Sequence, residues 1–371
     1  MTLDDEQLAL LQLNLINGLG PRLQQLLLAR FECAERIFRA TGSELLQVNG
    51  IGGKLSAEIT ANRQLEQARV EWRNCQERDI RLRFCGRPDY PRSLMEIPDP
   101  PPVVYERGEF GEQDALAIGI VGSRHCTAYG RMQARKLAGA LARAGMTVIS
   151  GLARGIDSEA HRGALEAKGR TIAVCAPGLS RIYPPENQGL ADEITLNGAL
   201  ISESPLSRAP NKGLFPQRNR IIAGLSLGVL IIEAGQGSGA LHTARHAMEQ
   251  GREVFAVPGR IDSPASAGCL DLLKDGATLV RHVDDILDSL GPLTASVKTA
   301  DSGVVAAPRE LNLSDQEREV LNEIDFAPTA IESVLGKIPI EASRVLSTLT
   351  VLEMKRLIRR LPGSYVERTG R

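Results

Sequence analysis

The chain has 371 residues, 43% hydrophobic and 24% charged, a composition ordinary for a water-soluble protein and a length that exceeds one compact core. Its formal net charge of −1 excludes a polycation acting as a whole, so any polyanion must meet a local patch. Aromatic residues make up only 4%, so a ring in a polar loop is informative.

The start, "MTLDDEQLALLQLNLINGLG", is acidic where a signal peptide is basic, and no apolar run approaches a membrane span. A cytoplasmic protein with no membrane partner is expected. Residues 1–65 read as short helices joined by two similar turns, "INGLGPRL" (16–23) and "VNGIGGKL" (48–55), each leading into a helix with a cation, Arg22 or Lys54. That is a helix-hairpin-helix or SAM-like pattern; it fits either phosphate contact at a helix N-terminus or a tight turn in a helical bundle. Residues 66–113 read as a connecting segment in which Pro98, Pro100, Pro101 and Pro102 oppose regular structure.

From 114 to 290 short apolar runs alternate with helical segments. The expected strands are 115–121, 146–150, 171–175, 199–203, 228–233 and 253–257, nearly continuous apolar runs suited to parallel strands buried on both faces. This predicts an α/β fold, an extended Rossmann-like doubly wound domain with a mostly parallel sheet. A flexible linker is expected over 291–310. Two amphipathic helices (313–324 and 341–361) and a hairpin around Pro362-Gly363 then suggest a winged-helix domain over 311–371.

In such a sheet ligands meet the loops after the strands. "VGSRHCTAYG" (121–130) offers Gly122, Ser123 and Arg124, without the spacing of a dinucleotide fingerprint. "SGLARGIDSEAH" (150–161) has Gly151 and Gly155 flanking Arg154, with Asp157 as a helix cap or the partner of a buried arginine. "AGQGSGALHTARHA" (234–247) places Gly237, Ser238 and Gly239 at a helix start, fit for a phosphate or for a close turn. "NKGLFPQRNRIIAGLS" (211–226) gathers Lys212, Phe215, Arg218, Asn219 and Arg220 ahead of an apolar stripe. Helical spacing puts Arg220 opposite that stripe. Arg218 falls on the stripe's side, so a buried carboxylate, Asp157 or Glu233, is expected to hold it as a structural group.

No catalytic set emerges from these loops. His242 and His246 have zinc-ligand spacing but no third ligand beside them, and the six cysteines lack CxxC-type spacing. Neither a Walker lysine loop nor a GxSxG elbow is present. The expectation is no metal, no cofactor and no enzyme. A groove of cations with a ring for stacking suits single-stranded nucleic acid.

"VGSR", "SGLARGIDSEAH", "GLSRIYPPEN", "GALISESPL", "FPQRNRIIAGLS", "SGALHTARHAMEQGREVFAVPG" and "AGCLDLLKDGA" follow one another across 121–277. Together they resemble the DNA-processing DprA/Smf family. The resemblance implies single-stranded DNA binding, a homodimer formed through the α/β domain, and loading of RecA recombinase onto incoming strands in natural transformation. It places Gly122, Ser123, Arg124, Lys212 and Phe215 in the DNA pocket; Asn219 and Arg220 join them in this reading. The rival is a nucleotide-binding hydrolase resembling the phosphoribohydrolases, whose Pro-Gly-Gly-x-Gly-Thr loop is missing here.

Overall fold

A computed structural model describes residues 3–290 without a break, and 315–368 except 326, 339, 341, 355–356 and 362. The expected linker at 291–310 lies outside the described residues, apart from two short strands named below.

The first six helices are α1 (Asp5–Leu15), α2 (Pro21–Phe31), α3 (Ala34–Arg39), α4 (Gly42–Leu46), α5 (Gly53–Ala61) and α6 (Glu66–Gln76). Asp4 starts α1 with a capping box shared with Gln7. The two similar turns are alike in backbone, because Gly18 and Gly50 both take positive φ, +84° and +89°. Arg22 and Lys54 both stand exposed just inside the helices that follow. Leu13, Leu27, Ile37, Leu45 and Ile59 form one core that continues into the α/β domain through Tyr105, Leu179 and Leu206.

The main sheet has nine strands: β1 (Ile80–Phe84), β2 (Val103–Gly108), β3 (Ala117–Gly122), β4 (Thr147–Ser150), β5 (Thr171–Val174), β6 (Gly198–Ser202), β7 (Gly228–Ile232), β8 (Glu253–Ala256) and β9 (Thr278–Leu279). Their order is β1-β2-β6-β5-β4-β3-β7-β8-β9. The pairs β1/β2 and β2/β6 are antiparallel and all others parallel. The six parallel strands read from sequence are all present.

The segment 66–113 is more than a connection. It supplies α6, both antiparallel strands and α7 (Arg92–Met95). The prolines stop regular structure only as far as Pro102, and β2 begins at the next residue. Arg83 of β1 is buried against Glu106 of β2 and donates to the Phe110 carbonyl at 2.7 Å. A charged strand residue thus has its charge and N–H groups satisfied inside the sheet.

The remaining helices of this domain are α8 (Ala128–Arg143), α9 (Ile156–Glu166), α10 (Gln188–Asn197), α11 (Leu214–Leu225), α12 (Gly239–Glu249), α13 (Ala267–Lys274) and α14 (Val283–Ser289). From β3 the chain winds outward through β4, β5 and β6, then returns to the other side of β3 with β7. The direction reverses between β3 and β7, and the loops leaving those two strands open a crevice at their C-terminal ends.

Two short strands, β10 (Val297–Lys298) and β11 (Val304–Val305), pair antiparallel. The last unit contains α15 (Asp315–Asn322), β12 (Thr329–Ala330), α16 (Ile331–Lys337), α17 (Ala342–Met354), β13 (Ile358–Leu361) and β14 (Tyr365–Arg368). Val320, Val334, Leu349, Ile358 and Val366 share its core. The structure adds α16 and a third strand to the two helices and hairpin read from sequence; the sheet order is β12-β14-β13. This is a winged helix.

Candidate nucleic-acid interface

The turn after β3 is clamped from two sides. Ser123 N–H donates to the Glu233 carbonyl at 2.7 Å, and Ile156 N–H donates to the Ser123 carbonyl at 3.2 Å. A Cβ on Gly122 would lie 1.9 Å from the Ile232 carbonyl, and one on Gly155 2.3 Å from that of Ser123. Both glycines therefore permit protein backbones to approach each other, whereas the sequence suggested room for a ligand. Gly151 is similar, since its Cβ would meet the Arg218 guanidinium at 1.8 Å.

Glu233, just after β7, takes a positive φ of 50°. Its carboxylate accepts from Thr127 N–H at 2.7 Å and from the Thr127 hydroxyl, fixing the start of α8. It is the anchor of the β3 turn and not the partner of Arg218. The turn so anchored presents Arg124 to solvent, its guanidinium 4.9 Å from the centre of the Phe215 ring. Tyr183 stands on another side of Phe215, with ring centres 5.7 Å apart at 56°. Lys212 is exposed two residues before α11. These residues line a cleft of about 680 Å³ together with Asp157, Arg218, Asn219, Thr243 and the loop 235–240.

Arg218 is buried, as its place on the stripe predicts, and reaches the end of β5. Nη1 donates to the Val174 carbonyl at 2.5 Å and Nε to Asn219 Oδ1 at 3.2 Å. Burial pulls its pKa below the ordinary arginine value, and Asp157 opposes that through space. Asp157 accepts at Oδ2 from the N–H groups of Gly151 (3.1 Å) and Ala153 (3.4 Å). Burial raises its pKa, while Arg218, those two backbone donors and Arg124 pull it down. Of the two candidate carboxylates, Asp157 is the one that faces Arg218. Asn219 uses its amide N–H on the Gly239 carbonyl at 3.1 Å, so it ties α11 to α12 while lining the cleft.

Two expected contributors lie elsewhere. Arg220 is 2% exposed and makes ion pairs with Asp99 at 2.8 Å and Glu203 at 2.6 Å. Helical spacing does set it apart from Arg218, but the far side of α11 is covered: the chain before β2 and the turn after β6 supply the two carboxylates. It does not face the cleft. Arg154 is exposed, paired with Glu186, and outside the cleft's wall. Gly237, Ser238 and Gly239 do line it; Gly237 takes φ +75°, and Ser238 caps α12 by accepting from Ala240 N–H at 3.3 Å.

Sequence reasoning missed Tyr183 and Thr243. Tyr183 was visible as an aromatic in a polar loop, "LSRIYPPEN". Thr243 carried no signal beyond its place one turn inside a glycine-rich helix start. His242 lines the cleft mouth, whereas His246 faces Glu249 at 3.4 Å. Among the described residues, no three His, Cys, Asp or Glu side chains form a group able to hold a metal. No described helix is long and apolar enough to cross a membrane.

One buried histidine underlies this region. His161 Nδ1 lies 2.7 Å from Thr171 Oγ1, whose own proton goes to the Val148 carbonyl at 2.8 Å. The imidazole thus donates at Nδ1, and Nε2 has no partner. Burial, with Arg218 and Arg162 nearby, lowers its pKa from 6.5 to about 3. The unfolded chain therefore binds the extra proton below pH 6.5, and stability present above that pH is lost as pH falls. The expected loss approaches about 1.4 kcal/mol per pH unit. Urea unfolding at pH 7.5, 6.5 and 5.5 checks this; His161→Gln should flatten the slope, and an equal slope in both proteins contradicts it.

A family model described as DNA recombination-mediator protein A matches residues 81–291, and the DprA winged helix domain matches 304–364. The chain belongs to the DprA/Smf family. Protein Smf of Synechocystis sp. is 33% identical over 395 residues, covering 98% of this chain and 99% of the relative. DNA processing protein DprA of Bacillus subtilis is 45% identical over 202 residues, 54% of this chain and 68% of the relative. Among solved structures, DNA processing protein A of Streptococcus pneumoniae aligns with TM-score 0.66 and 32% identity, over 78% of this chain and 98% of that one. The Helicobacter pylori protein, described with a single-stranded DNA binding mode, aligns with TM-score 0.51 and 31% identity, over 57% and 95%. The family match begins at residue 81, inside β1, in keeping with the two antiparallel strands belonging to the main sheet.

Proposed function

We propose that the chain is a single-stranded DNA-binding recombination mediator that uses the β3/β7 cleft to hold a strand without turning it over. The observation that carries this is Arg124 over the Phe215 ring, with Lys212 at the rim and Tyr183 behind. The cations meet phosphates, and the rings accept any base because every base has a π-face. A duplex keeps its bases stacked inside, so the rings favour single strands. Membership of a family of DNA-processing proteins supports the same reading.

The wider role is loading RecA recombinase onto incoming strands in the cytoplasm during natural transformation, with the protein acting as a homodimer. Anisotropy with an oligothymidine and its duplex across a salt series tests the binding. The single strand should bind more tightly, with log K falling by about 0.7 per neutralised phosphate per unit of log salt. Equal affinity for the duplex would overturn the reading. RecA filament growth on coated single strands should quicken when the protein is added; no change contradicts the mediator role.

A further inference from the structure

The floor of the cleft holds polar groups that a strand lying across its rim does not reach. Thr243 is 1% exposed and lines the cleft, and its hydroxyl has no hydrogen-bond partner. Arg218, 4% exposed, spends Nε on Asn219 and Nη1 on Val174, leaving Nη2 with no protein acceptor among the described residues. Thr243 lies one turn into α12, 11 residues long, and at the start of that helix the exposed Gly237 and Gly239 have N–H groups that also lack a protein acceptor.

All of these groups can donate; Thr243 and Arg218 are buried, where a donor without an acceptor costs about 1–3 kcal/mol, while Gly237 and Gly239 are exposed at the cleft. Three cations, Arg124, Lys212 and Arg218, line the cleft against one carboxylate, Asp157, whose Oδ2 is already taken by two backbone N–H groups; His242 stands at the mouth. The helix N-terminus adds to the preference for an anion.

Depth decides which anion. An internal phosphodiester has chain leaving on both sides and presents two free oxygens, so it stays at the rim. A phosphate monoester has three free oxygens and one ester link, and reaches a floor whose groups are 1% and 4% exposed. We propose that the floor formed by Arg218, Thr243 and the start of α12 is a subsite for a terminal phosphate monoester, so that the cleft takes the phosphorylated end of a strand. This rests on the cleft being the single-strand site, and places the terminal base against Phe215 and Tyr183.

The test uses the full chain and labelled oligothymidines with a phosphate or a hydroxyl at one end, each end tried in turn. At fixed salt, one phosphorylated end binds about tenfold more tightly than its hydroxyl counterpart. Thr243→Val keeps the shape of the side chain and removes a hydroxyl that has no protein partner, so folding is retained. In this variant the ratio falls to about two or less.

Equal affinities in the wild type, or a ratio unchanged in Thr243→Val, overturn the proposal, since general charge attraction would then explain any gain. Thymidine monophosphate, and not thymidine, displaces the phosphorylated strand. A monophosphate that binds while the phosphorylated end gains nothing assigns the floor to free nucleotides and overturns the strand-end reading. Failure of both oligonucleotides to bind instead removes the single-strand site itself.

Discussion

If Phe215 stacks a base as proposed, Phe215→Ala should weaken single-strand binding by about 1–3 kcal/mol, roughly 5- to 150-fold. Arg124→Ala weakens it through a different term. On the proposed reading one phosphate contact goes, so the salt slope should drop by about 0.7, together with the cation that lies 4.9 Å from the Phe215 ring. Because the two side chains touch, the double variant should lose less than the sum of the single losses, with a coupling of about 0.5–3 kcal/mol. Phe215→Trp restores a π-face and should recover most of the affinity. Anisotropy at several salt concentrations reads all four proteins. Strict additivity would mean that ring and cation act on separate parts of the strand.

Arg220→Ala has its effect on folding. The guanidinium is 2% exposed and bridges Asp99 and Glu203, so its removal leaves carboxylates that have lost their countercharge. Removing one partner of a buried pair costs about 3–5 kcal/mol, and the lower end is expected here because Asp99 is a third exposed. Glu203 sharpens the prediction. Burial raises its pKa and Arg220 lowers it, so the variant leaves only the upward push. Glu203 should then take up a proton in the folded variant, and the variant's deficit should shrink as pH falls. Urea unfolding measures the loss. A folded variant of normal stability and lost DNA affinity would return Arg220 to the interface where the sequence first put it.

The parallel strands were legible because each is a nearly unbroken apolar run. β1 and β2 were not. "IRLRF" carries two arginines, and the pairing of Arg83 with Glu106 depends on a register between residues 23 apart. The burial of Arg220 was hidden for the same reason, since its partners lie 121 and 17 residues away. Arg218 was legible because its apolar stripe is local, yet only the fold distinguishes Asp157 from Glu233. The glycines at 122, 151 and 155 were read as facing a ligand, but what lies against them is the protein itself. Of the cleft, the Lys212 and Phe215 pair and the Arg124 turn could be read from sequence; Tyr183 and Thr243 needed three loops brought together.

Photo-crosslinking reports directly on where a strand lies. An oligothymidine bearing 5-iododeoxyuridine is bound to the full chain, irradiated, and the adducts located by mass spectrometry. Adducts on Phe215 or Tyr183, suppressed by excess unlabelled single strand and not by duplex, are the predicted result. Adducts confined to residues 3–61 or 315–368, with none in the cleft, would contradict it.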